Sequence, residues 1–126
     1  MIAPARGWQQ VEGAGLGLGA FAIAGLAGPG WPWWIWLAIL LAPDLSMLGY
    51  LFGRWIGAAV YNAAHLYATP FLLMMAGVGA GAPAVIAAGA LWLSHIGFDR
   101  ALGYGLKLPD GFRDTHLGPI GPRETD

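Results

Sequence analysis

The chain has 126 residues, of which 57% are hydrophobic and 10% charged. With a mean hydropathy of +0.58, that composition excludes an ordinary soluble domain and points to an integral membrane protein. A net charge of -1 offers no basic surface for nucleic acid, so none is expected as a partner, and the absence of cysteine excludes disulfides, thiolate metal sites and cysteine nucleophiles.

Residues 1–10 read as a short N-terminal cytoplasmic segment, and residues 11–104 as a transmembrane domain of four spans. Span one runs from about Val11 to Ala27 and ends at Gly28-Pro29-Gly30. Its Gly13, Gly15, Gly17 and Gly19 form overlapping small-xxx-small patterns, which serve either tight packing inside the chain or a homodimer through the first helix. Trp31, Trp33, Trp34 and Trp36 belong at the outer interface and open span two, which bends at Pro43 and ends near Leu51.

Span three is read from about Trp55 to Met75 with a kink at Pro70, and span four from about Ala84 to Tyr104. The stretches between Glu12 and Arg54 and between Arg54 and Asp99 are each about twice the roughly 20 residues one span needs, so each is a hairpin. Residues 105–126, rich in Pro, Gly and charge, form a cytoplasmic C-terminal tail expected to fold back through Phe112 to His116. The expected fold is all-α, a four-helix membrane bundle of two hairpins. Arg6, Arg54, Arg100, Lys107, Arg113 and Arg123 share one side of it, which places both termini in the cytoplasm.

Ionisable residues are costly in hydrocarbon, so those at span ends mark a shared pocket, expected at the cytoplasmic end of the bundle. His95 and Asp99 lie four apart and share a helix face. Asn62 and His65 share a face of span three, and Asp44 lies near a helix C-terminus, where the macrodipole opposes it. Asp44, His65, His95 and Asp99 are the candidate catalytic and metal-ligating residues, for a divalent metal such as Zn, Mn or Fe. Glu12, Asn62, Tyr104, Asp114 and His116 are additional pocket candidates, the last two as a lid from the tail. Each carries a plainer reading as helix capping, interhelical packing or ordinary tail polarity. Asp44-Leu-Ser-Met-Leu-Gly-Tyr50 and Asp99-Arg-Ala-Leu-Gly-Tyr104 also echo each other, as hairpins of a parallel repeat would.

Ala42-Pro-Asp-Leu-Ser-Met-Leu-Gly-Tyr50, Tyr61-Asn-Ala-Ala-His65, the run from His95 to Lys107 and Phe112-Arg-Asp-Thr-His-Leu-Gly118 resemble a family of small bacterial membrane proteins, domain-of-unknown-function family forty-two sixty. The resemblance implies a bacterial inner-membrane protein with four compact spans and carries no activity. Pro43-Asp44-Leu45 and Thr115-His116 also resemble fragments of the Pro-Asp-Leu-Asp and Thr-His-Ser motifs of membrane-bound metal-dependent hydrolases, with Ser46 and Leu117 at the differing positions. The functional expectation is a polar, metal-binding pocket at the cytoplasmic end of the bundle that hydrolyses a lipid or amphiphile. The alternatives are a small proton-coupled transporter acting as a dimer and a non-catalytic membrane subunit.

Overall fold

A computed structural model describes residues 3–121; Arg123 lies outside them. The elements are α1 (Ala3–Ala27), α2 (Trp33–Leu41), a 3-10 helix (Ala42–Phe52), α3 (Arg54–Ala64), α4 (Ala68–Ala80) and α5 (Pro83–Ala101). A two-stranded antiparallel sheet follows, β1 (Asp114–Thr115) with β2 (Gly118–Pro119). That sheet corrects the all-α expectation. The tail folds back as anticipated, and Lys107 bridges to Thr115.

α1 begins at Ala3 rather than near Val11, because Pro4 sits in the first turn, where its missing N–H has no helical partner to lose. Gln10 is therefore helical and donates to the Ala101 carbonyl at 3.3 Å. α1 lies antiparallel to α5 at very short range. A Cβ added to Gly97 would stand 2.5 Å from the Gly17 nitrogen and 2.7 Å from the Gly13 carbonyl oxygen. Gly13 and Gly17 are thus used inside the chain, whereas nothing lies within 4 Å of the Cβ position of Gly15 or Gly19.

Three helical segments are long and apolar enough to cross a membrane: Pro4–Ala27, Trp33–Phe52 and Arg54–Ala80, of 24, 20 and 27 residues. α5, with 19 residues, is not among them, since it carries Ser94, His95, Asp99 and Arg100, so the described residues give three apolar spans where four were expected. The placement of α5 explains this. Ala87, Ala90, Leu91, Ser94, His95 and Ile96 are all buried among the other helices, so α5 meets protein where the others present Leu18, Leu41, Leu51 and Leu72 outward. Trp33 and Trp34 are exposed, while Trp31 and Trp36 pack against the core formed by Ala20, Ala24, Met74, Ala90, Leu91 and Leu93.

Spans two and three are both interrupted. After Leu41 the chain tightens into 11 residues of 3-10 helix, long for a conformation that normally runs only a few residues. Pro43 supplies no N–H, and Ser46 Oγ donates to its carbonyl at 2.7 Å. Span three breaks at His65–Tyr67 rather than at Pro70, because Pro70 falls in the first turn of a new helix and costs no hydrogen bond there.

Candidate metal centre

The two interruptions assemble the site. In a low-dielectric interior, every carbonyl freed by a helix break needs a donor. The Tyr61 carbonyl accepts from His65 Nδ1 at 2.8 Å, that of Ala63 from Thr69 Oγ1 at 2.8 Å and that of Ala64 from Trp92 Nε1 at 2.6 Å. The His65 carbonyl accepts from Arg100 Nη2 at 2.9 Å. At the other interruption, His95 Nδ1 donates to the Leu40 carbonyl at 2.7 Å.

These bonds fix both imidazoles. A carbonyl can only accept, so Nδ1 of each histidine carries the proton, and Nε2 of each neutral ring presents a lone pair. The two Nε2 atoms stand 3.2 Å apart. Asp44 Oδ1 lies 3.4 Å from His65 Nε2 and 3.2 Å from His95 Nε2, and Asp99 Oδ2 lies 3.6 and 3.2 Å from the same atoms. Four acceptors therefore converge with no donor among them, and they form a group that could hold a metal ion. One proton could bridge only one pair of them; a cation at the centre satisfies all four. A tetrahedral ion bound at about 2.0–2.1 Å has ligand–ligand edges of about 3.3 Å, and the five distances above bracket that value.

The four side chains differ in access. Side-chain exposure is 0% for His65, 6% for His95, 19% for Asp99 and 41% for Asp44, so three are held inside and Asp44 stands at the open side. Tyr61 stacks on the His65 ring at 3.8 Å with an interplanar angle of 9°, and fixes its plane. An apolar cavity of about 310 Å³ is lined by Ile39, Ala42, Pro43, Ser46, Ala64, Leu73, Ala88 and Trp92, which include the chain neighbours of Asp44 and His65 but neither residue itself.

The site is not at the helix ends throughout. Asp44 and His65 fall near the middle of the segments Trp33–Phe52 and Arg54–Ala80, and only His95 and Asp99 lie toward the end of their helix. The other candidates are placed elsewhere. Asn62 clamps the tail, donating to the Lys107 carbonyl at 2.8 Å and accepting from its N–H at 2.6 Å. Tyr104 contributes its carbonyl to Arg100 Nη1 at 3.0 Å, with its ring 40% exposed. The Asp114 carbonyl accepts from Leu108, and His116 Nδ1 accepts from the Leu106 N–H at 2.8 Å. Glu12 and His116 line a separate pocket with Arg100. Thr115-His116 and Pro43-Asp44-Leu45, the two fragments of the hydrolase likeness, are therefore not brought together in one site. Burial pushes the His116 imidazole down, helped by the nearby Arg100 charge. Burial likewise pushes the Lys107 ammonium down, opposed by Asp99 and Asp44, while Lys107 Nζ donates to the Phe112 carbonyl at 2.7 Å.

Sequence reasoning did not give Arg100 its role. Its guanidinium is 4% exposed and holds two backbone carbonyls rather than pairing with Asp99, Asp44 or Glu12. A buried arginine next to an intramembrane aspartate was the available signal. Trp92 and the Leu40 carbonyl carry no sequence mark of their role.

Over residues 6–120 the sequence matches the family described as Domain of unknown function (DUF4260). The chain belongs to that family. No curated protein and no solved structure matches it. In this DUF4260 chain the long motifs Ala42–Tyr50, Tyr61–His65 and His95–Lys107 carry the four converging side chains and the residues that orient them.

Proposed function

We propose that this DUF4260 chain is a bacterial inner-membrane metalloprotein, both termini cytoplasmic, whose centre hydrolyses a membrane amphiphile. The convergence of four acceptors, with both histidine tautomers fixed by backbone carbonyls, carries the reading. Two nitrogens and two carboxylate oxygens at near-tetrahedral spacing suit Zn first, and Mn or Fe with added waters. His65, His95 and Asp99 are the enclosed ligands. Asp44 is the accessible fourth ligand, and by giving up its place to a water, whose pKa a bound ion would lower to about 7, it would act on that water as general base. In hydrolysis of an ester, the water oxygen bonds to the carbonyl carbon, Asp44 takes the water proton, and the C–O bond to the leaving alcohol breaks as that proton passes to it. The apolar cavity lined by chain neighbours of Asp44 supports an acyl chain as the substrate's tail.

The test is metal content with turnover. Protein purified in mild detergent is assayed on long-chain acyl esters in mixed micelles, before and after chelation and metal return. D44N is expected to keep its metal and lose turnover by about 100-fold or more; H95A is expected to lose both. Metal-loaded wild type without turnover of any such ester contradicts hydrolysis.

A second reading, a proton-coupled cation carrier, is favoured by one observation: two interrupted helices meet at the ligands, as in carriers whose sites lie where spans unwind. Metal flux into vesicles, abolished in D44N, would establish it in place of hydrolysis. The non-catalytic subunit reading has no metal at all. The outward Gly15 and Gly19 support a homodimer, which cross-linking of a cysteine pair placed beside them would detect.

A further inference from the structure

A second site lies away from the metal ligands, along the seam between α1 and α4. Its upper part is a pocket of about 210 Å³ in which Gln9, Glu12, Arg100 and His116 stand among Leu66, Tyr67 and Leu106. Its lower part is an apolar groove of about 280 Å³ lined by Leu16, Tyr67, Ala68, Phe71 and Leu93. Tyr67 belongs to both. Glu12 and Leu16 are one helical turn apart on α1, and Arg100 and Leu93 are two turns apart on α5, so pocket and groove follow the same helix faces. A chamber with Glu12, Arg100 and His116 on its wall that shares Tyr67 with an apolar groove has the shape of an amphiphile.

The chamber's charges select the headgroup. His116 Nδ1 accepts the Leu106 N–H, so the neutral ring carries its proton on Nε2 and has a donor to give. Arg100, whose Nη1 and Nη2 also hold the Tyr104 and His65 carbonyls, adds positive charge at the wall and the Gln9 amide adds a donor, which suit a phosphate. Glu12 adds a carboxylate with no ion-pair partner among the described residues, since every such pair involves the metal-centre histidines. A purely anionic head would meet repulsion from Glu12, and a quaternary ammonium has no N–H to donate to it. We propose that this seam binds one phospholipid whose headgroup carries both a phosphate and a primary ammonium, as phosphatidylethanolamine does, with an acyl chain in the groove.

Native mass spectrometry of the detergent-purified full chain, mixed with equimolar phosphatidylethanolamine, phosphatidylglycerol and phosphatidylcholine of matched chains, tests this. Wild type should retain the ethanolamine lipid about tenfold over either competitor. E12Q should reduce that preference over phosphatidylglycerol to about threefold or less, and A68F, which fills the groove, should reduce retention of all three. Neither variant should change metal content, which separates failure here from failure of the metal reading. Equal retention of the three lipids by wild type, a preference for phosphatidylglycerol, or E12Q and A68F behaving as wild type would overturn the proposal.

Discussion

Arg100 shows how one side chain can serve a site it does not enter. Its Nη2 holds the His65 carbonyl at 2.9 Å and its Nη1 the Tyr104 carbonyl at 3.0 Å, tying the interruption in span three to the start of the tail. R100M should leave the His65 carbonyl without its donor and loosen the break that carries the ring, lowering metal affinity on the order of tenfold to a hundredfold, as loss of an outer support typically does. Stoichiometry should still reach the wild-type value at saturating metal; competition against a chromogenic chelator measures both. The four converging side chains were legible in the sequence because ionisable side chains among apolar ones are conspicuous and His95 and Asp99 share a helical spacing. Their supports were not, because backbone carbonyls of Leu40, Tyr61, Ala63 and Ala64 become acceptors only after the helices break.

The elements are held by small residues at close approach, most tightly where α1 crosses α5. G97A would place a methyl group against the Gly13 and Gly17 backbone, which cannot yield as a side-chain end can. It is expected to destabilise the protein by about 1–3 kcal/mol, read as a lower melting temperature in detergent, whereas G15A, with open space around its Cβ, should stay within about 0.5 kcal/mol of wild type. The tail is a second such element, and its docking depends on pH. His116 has its pKa below 6.5 when docked, because burial and Arg100 disfavour the charged ring, so the docked tail binds fewer protons than the released one. Acidification through about 6.5 therefore favours release. Hydrogen exchange at the Leu106 and His116 amides, corrected for intrinsic rate, should accelerate below that pH in wild type and lose the dependence in H116A. Helix boundaries were the less legible part of these elements. Pro70 looks like a kink in a continuous span, but a first-turn proline is compatible with a fresh helix, and only the packing of His65 decides where the break falls.

At the scale of the molecule, α5 packs among three more apolar segments that turn large hydrophobic side chains outward, and the polar groups it carries find partners where two of those segments are interrupted. That arrangement makes the repeat in the sequence half true. Asp44 and Asp99, the first residues of the two echoing motifs, both reach the centre with His65, whereas Glu12 lies in the α1–α4 seam. The pattern of charges indicated a shared pocket, while its depth and membership depended on helix breaks that composition does not encode. The central claim is that four acceptors surround a metal ion, and elemental analysis of protein purified in mild detergent without added metal addresses it most directly. The account predicts about one equivalent of a single transition metal per chain, lost in H95A while that variant remains folded and extractable. Less than about a tenth of an equivalent in wild type, or an H95A protein that retains the full amount, would contradict it.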